Sequence, residues 1–228
     1  MKSLIHYHTL AALFEYPDSE YPQKVRTVKR AVEDRYPVAA ENVERFLGLL
    51  PTTDTVAMQE LFIRSFDVQA MTTLDIGYVL FGDDYKRGAL LANLNREHLA
   101  VKNDCGRELA DHMPNILRLL PKLEDEELIE ELADSILAPA LREMIGEFTA
   151  ERVAKKNESY KKHYKTIIDT AFVRDEAVTL YQFPLKALYE VLKQDFSLVE
   201  KPQSAHSSDF LGSVRRENEI EAKAEIAY

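Results

Sequence analysis

Cysteine is almost missing from this chain: Cys105 stands alone among 228 residues. One thiol makes no internal disulfide and no cysteine-rich zinc site, and a free cysteine usually behaves as a small, half-buried apolar group. Glycine is scarce too, with seven residues, which suits helices and short turns better than a sheet rich in hairpins. Runs of Val, Ile and Thr bounded by hairpin turns are absent, so no segment reads as a strand. There is no GxxxxGKS/T, no GxGxxG and no GxSxG, which removes the usual phosphate cradles and the nucleophile elbow. His6 and His8 lie one residue apart and point to different sides of a helix. His98, His112, His163 and His206 lack HExxH spacing. No apolar run approaches the roughly 20 residues of a membrane span, and Met1 to Phe14 is short and rich in histidine for a signal peptide. A soluble, cytoplasmic protein is expected. Cationic residues are outnumbered 29 to 39, a net charge of −10, which disfavours a general nucleic-acid binder because phosphates need a cationic surface.

What remains is a helical sequence with enough apolar residues, 46%, to form a core. Leu4, Ile5, Leu10, Leu13 and Phe14 suggest a first helix that stops at Glu15-Tyr16-Pro17-Asp18. Asp18 or Ser19 caps the next, with Val25, Val28 and Val32 on one face, and Pro37 is expected to end it. Val43, Phe46, Leu47 and Leu50 form a third stripe, and Thr53 or Asp54 caps a fourth helix. Helical spacing then continues from Met71 to Phe81 and stops at Gly82. Asp83 and Asp84 favour the start of a helix running through Val101. A short helix over Leu109 to Leu120 is interrupted or entered at Pro114, and the broadest stripe spans Asp125 to Phe148, kinked or split at Pro139. Further helices are predicted over Glu158 to Phe172 and Tyr181 to Leu192. The expected architecture is an all-α, single-domain bundle over residues 1–195. A polar tail over 196–228 reads as a lone helix or a disordered segment.

The stretch from Met58 to Pro114 carries the functional candidates. Met58, Leu61, Phe62 and Phe66 share one helix face that ends in Asp67. Tyr78 and Phe81 precede the polar elbow Gly82-Asp83-Asp84. An apolar groove edged by acids suits a basic, amphipathic peptide better than a small reactive molecule. Taken singly, these aromatics read more readily as core residues than as groove, and these acids more readily as helix caps than as binding residues.

In order and spacing, several motifs resemble one family. They are Leu13-Phe14-Glu15-Tyr16-Pro17-Asp18; Glu60-Leu61-Phe62 with Phe66-Asp67; Tyr78; Phe81-Gly82-Asp83 with Lys86-Arg87-Gly88; and Glu108-Leu109-Ala110-Asp111-His112-Met113-Pro114. Together they resemble the NarJ-type chaperones, the nitrate reductase delta-subunit branch of the TorD/DmsD/NarJ group, over roughly Leu4 to Phe172. Ala110 departs from the family, which often has proline there. The resemblance implies an all-α chaperone without catalysis or a cofactor of its own. Its partner would be the N-terminal segment of a molybdenum oxidoreductase catalytic subunit, held until molybdopterin guanine dinucleotide is inserted. The client surface would comprise Leu61, Phe62, Phe66, Asp67, Tyr78, Phe81, Asp83, Arg87, Asp111 and His112, with Asp67, Asp83 and Asp111 pairing client Lys or Arg. The protein would be a monomer or weak dimer.

Two rivals come from other classes. One is a helical enzyme using Arg87, Asp111 and His112 for acid–base work, which would need an enclosed pocket joining the three. The other is a helix-turn-helix regulator, which would need a basic recognition helix.

Overall fold

The computed structural model describes residues 3–68, 70–149, 151–154 and 179–198. The predicted helix over Glu158 to Phe172, and the tail from residue 199 on, lie outside the described residues. The fold is all-α, with no strand among the described residues. The helices are α1 (His6–Leu10), α2 (Tyr21–Glu33), α3 (Pro37–Leu49), α4 (Thr55–Phe66), α5 (Ile76–Phe81), α6 (Tyr85–Ala100), α7 (Met113–Leu119), α8 (Glu126–Glu131), α9 (Ala138–Glu147) and α10 (Gln182–Asp195). The chain divides into two compact units: Met1–Ala11 with Asp75–Ala140 and Leu192–Tyr228, and Ala12–Leu74 with Leu141–Val191.

In the unit built on Ala12–Leu74, α2 packs along α3. Val25, Val28 and Val32 are fully buried, as are Val43 and Phe46, and each such side chain contributes roughly 1.5–3 kcal/mol. The entry to α2 is held by Asp18, whose Oδ1 accepts from the Glu20 amide at 2.9 Å. Pro37 does not end α2. That helix stops at Glu33, and Pro37 opens α3, since a proline at the first helical position has its φ preset and gives up no helical hydrogen bond. Asp54 caps α4 by accepting from the Ala57 amide at 3.0 Å.

The helix predicted over Met71 to Phe81 is shorter. Met71 and Thr72 donate backwards to the carbonyls of Arg64 and Ser65, which fixes that stretch as a non-helical connection. Helical structure begins only at Ile76.

In the other unit, α1 packs on α7, and α5 packs on α6 and on a π turn, Leu132–Leu137. Gly82 ends α5 with φ +60°, where a Cβ would be strained. Asp84 then caps α6 by accepting from the Lys86 amide at 2.9 Å. Asp125 caps α8 through the amides of Glu127 and Leu128. The long predicted stripe is one continuous run whose middle widens into the π turn just before Pro139. Ala138 there donates to the Ala133 carbonyl, five residues back, and this wider turn accommodates a proline ring that a regular α-turn would reject. The end of α10 is tied to α1 by His6 Nε2, 2.7 Å from Asp195 Oδ2.

Candidate functional site

The motifs separated along the sequence gather at two places, one in each unit. In the Ala12–Leu74 unit the centre is Tyr181, fully buried. Its ring lies 4.9 Å from that of Phe66, 5.7 Å from Phe62 and 5.2 Å from Phe46. The Phe62 and Phe66 contacts are edge-on and that of Phe46 is tilted; aromatic pairs of this kind add about 0.5–1.5 kcal/mol each beyond their buried area. Tyr21 lies 3.4 Å away, hydroxyl to hydroxyl, and donates to the Leu13 carbonyl at 2.6 Å. Burial pushes both phenols upward, so they stay neutral. The outer end of this cluster is Phe62, half-buried, met edge-on by Tyr16, which is 53% exposed. Gln59 fixes the Tyr16-Pro17 turn by donating to the Pro17 carbonyl.

This arrangement sorts the predicted residues. Phe62 keeps an accessible face. Leu61 and Phe66 are each only 7% exposed, and α4 turns Phe66 into the ring cluster. They back the surface rather than form it, which corrects the expectation of a contact along the whole stripe. Asp67 is exposed, just past the end of α4.

In the other unit the centre is Arg87. Its Nε donates to Asp111 Oδ2 at 3.0 Å and its Nη2 to Asp75 Oδ2 at 3.0 Å. Its guanidinium carbon also lies 5.3 Å from the centroid of the Tyr78 ring. The other oxygen of Asp75 lies 3.1 Å from His112 Nδ1. That oxygen accepts a hydrogen bond from Nδ1–H and leaves Nε2 without a partner among the described residues. The backbone reinforces the junction, with the Ile76 amide donating to the Asp111 carbonyl at 3.0 Å. His112, and then Arg87, hold the Asp75 carboxyl below its ordinary value. Burial lifts the Asp111 carboxyl above its ordinary value against the pull of Arg87.

Asp111 departs most from expectation. Its side chain is fully buried, Oδ2 is committed to Arg87, and Oδ1 has no hydrogen-bond partner among the described residues. It therefore does not offer a carboxylate to a client cation. Burial forces it to pair within the fold, because an unpaired charge there is costly. Asp83 is exposed, Tyr78 is 44% exposed and Phe81 is half-buried.

Two residues were missed. Asp75 joins Arg87 to His112, and its only local sign is its place at the start of α5, where its side chain makes no capping bond. Gly77 is the second. A Cβ there would sit 2.6 Å from Asp111 Oδ2 and 3.2 Å from Arg87 Cγ, so the ion pair needs a residue without a side chain.

An open cleft of about 520 Å³ in the same unit is lined by Glu97, Val101, Lys122, Leu123, Asp125 and Leu128, among others, and by none of Arg87, Asp111 or His112. Among the described residues, no group of three or more His, Cys, Asp or Glu is placed to hold a metal ion. No helix there is long and apolar enough to cross a membrane. A scan of the chain against protein-family models returned no match, and neither did a search of curated proteins.

Proposed function

We propose that this protein is an assembly chaperone for a molybdenum oxidoreductase of the nitrate reductase type. It binds the N-terminal segment of the catalytic subunit in the cytoplasm while molybdopterin guanine dinucleotide is inserted. One observation carries the reading. Residues that bear the resemblance yet lie far apart in sequence converge, with Arg87 on Asp111 across 24 positions and His112 on the Asp75 that also holds Arg87 across 37. Tyr78 covers the same guanidinium. In one unit the accessible Phe62 provides an apolar anchor and exposed Asp67 a charge for a basic segment; in the other, Tyr78 and Phe81 provide anchors and exposed Asp83 a charge. Anchors of this kind dominate affinity, whereas exposed charges mainly steer encounter.

The test is co-purification with the catalytic subunit, together with that subunit's cofactor content in cells lacking the chaperone. A subunit fully loaded without it refutes the proposal.

One observation favours the enzyme reading. Asp75 orients His112 as an acid–base histidine is oriented, with Nε2 unbonded among the described residues. Asp111, however, is sealed from any substrate. A turnover lost in His112→Gln, with client binding intact, would promote this reading over the first.

A further inference from the structure

The segment between α6 and α7 delivers Asp111 and His112, and a buried histidine holds it from behind. His98 is 2% exposed. Its Nε2 is 3.0 Å from the carbonyl of Ala110, the residue before Asp111. A carbonyl only accepts, so Nε2 carries the proton and Nδ1 is bare. Nδ1 then accepts from Asn103 Nδ2 at 2.8 Å. The same Asn103 amide nitrogen donates to the Asn115 carbonyl at 3.1 Å. Asn115 in turn donates to the carbonyls of Cys105 and Leu109 at 3.3 and 2.9 Å. Three buried polar side chains thus tie residues 103–115 to the end of α6, and both bonds of His98 require one tautomer of a neutral imidazole.

We infer that His98, Asn103 and Asn115 form a proton-sensitive latch that holds the Asp111–His112 segment while the imidazole is neutral and loosens it on protonation. The argument is one of bond polarity. A proton on Nδ1 turns it into a donor facing the Asn103 NH2 group. If Asn103 keeps its orientation, two donors confront each other. If its amide flips, Oδ1 accepts from Nδ1 but then faces the Asn115 carbonyl, acceptor against acceptor. Either way one buried bond is lost, and buried polar groups left unpaired are strongly disfavoured. The charged neighbours oppose each other: Glu97, on α6, favours the imidazolium and Lys122, in the turn after α7, disfavours it. Burial outweighs both and keeps the imidazole below its ordinary pKa. The latch needs no partner, so it stands or falls independently of the chaperone reading.

The experiment uses the full chain without client. Long-range ¹⁵N–¹H spectra identify the His98 tautomer. Hydrogen exchange, corrected for intrinsic pH dependence, gives the opening of the Asn103 and His112 amides from pH 8 to pH 5. The Nε2–H tautomer is expected at pH 8. Opening should then rise as pH falls from about 6.5, the ordinary imidazole value, by up to about tenfold per pH unit, and level off below the lowered pKa of the latched His98, while α2 amides stay protected.

His98→Gln retains a donor toward Ala110 but does not titrate, so its opening should be higher at pH 8 and flat with pH. Asn103→Asp places an acceptor against Nδ1 and should move the transition to higher pH, which a purely structural role would not do. A flat wild-type profile, an unchanged slope in His98→Gln, or an Asn103→Asp transition that stays in place would each overturn the latch.

Discussion

Gly77→Ala is the most informative single change, because the structure sets both its sign and its size. In a typical helix, replacing glycine by alanine stabilises by about 0.5–1 kcal/mol. At position 77 the new methyl group would lie 2.6 Å from Asp111 Oδ2, 3.1 Å from Leu90 Cδ2 and 3.2 Å from Arg87 Cγ. The two carbon contacts ask their side chains to give by only a few tenths of an ångström. The oxygen is not free in that way, because the carboxylate is buried and Oδ2 makes its only hydrogen bond to another side chain. Moving it breaks the Arg87 bond and strands a charge. Removing one partner of a buried pair costs about 3–5 kcal/mol. Arg87 keeps Asp75, which places this case at the lower end. After the helical gain the net is a destabilisation of about 2–3 kcal/mol, or about 4–12 °C in Tm for a chain of this size.

Urea unfolding followed by circular dichroism reads the effect as a shift in midpoint at constant slope. Gly88→Ala is the control, since a Cβ there meets nothing within 4 Å on α6, and it should stabilise by about 0.5–1 kcal/mol. In an Asp111→Ala background the penalty of Gly77→Ala should largely vanish, giving a coupling energy of about 2 kcal/mol. A Gly77→Ala protein as stable as wild type, or an undiminished penalty in that background, would refute the account of the ion pair.

Three further outcomes are expected. Lys102 sits at φ +51° where α6 ends, with its amide donating to Leu99 and the Asn103 amide to His98. Such a left-handed site favours glycine, so Lys102→Gly should raise stability by about 1 kcal/mol, and a loss would contradict the strain. Because burial lowers the pKa of His98 from 6.5, the unfolded chain binds the proton more readily. The contribution of His98 is therefore full above about pH 6.5 and lost as pH falls toward the folded value. Urea midpoints between pH 7.5 and 5 should fall less steeply in His98→Gln, and parallel slopes would count against a neutral buried imidazole. Phe62→Ala should weaken a synthetic client N-terminal peptide by about tenfold or more while lowering stability by about 2 kcal/mol, less than for a sealed core ring. Calorimetric titration and melting on the same protein separate the two, and unchanged affinity in a folded variant removes Phe62 from the surface.

These cases also show which parts of the molecule were legible in the sequence. Val25, Val28 and Val32 declared a buried face because helical period is a local property, and all three are buried. Thr53 or Asp54, Asp83 with Asp84, and Asp125 marked helix starts because such signals reach only a few residues ahead, and the caps fall to Asp54, Asp84 and Asp125. Pro37 read as a stop but is a start, since the ring that ends one helix also opens another. The Met71–Leu74 stretch was misassigned because its apolar spacing suits a helix, whereas its amides are claimed by carbonyls of α4.

Asp111 was hardest to place, since nothing beside a carboxylate in sequence tells whether it meets water or a guanidinium. The answer lay 24 residues away in Arg87 and 34 residues away in Gly77, a helical glycine that serves no turn. A glycine inside a short helix costs stability unless something needs the space, and here an oxygen would lie 2.6 Å from the missing methyl group. The informative sequence sign was therefore a glycine where none was required by the backbone. By the same logic, the silent N-cap Asp75 marks a carboxylate withdrawn from its local task for a distant one. Gly77 and Asp75 sit two residues apart at the start of α5, so that turn, more than the Asp111-His112 pair, sets the geometry of the site.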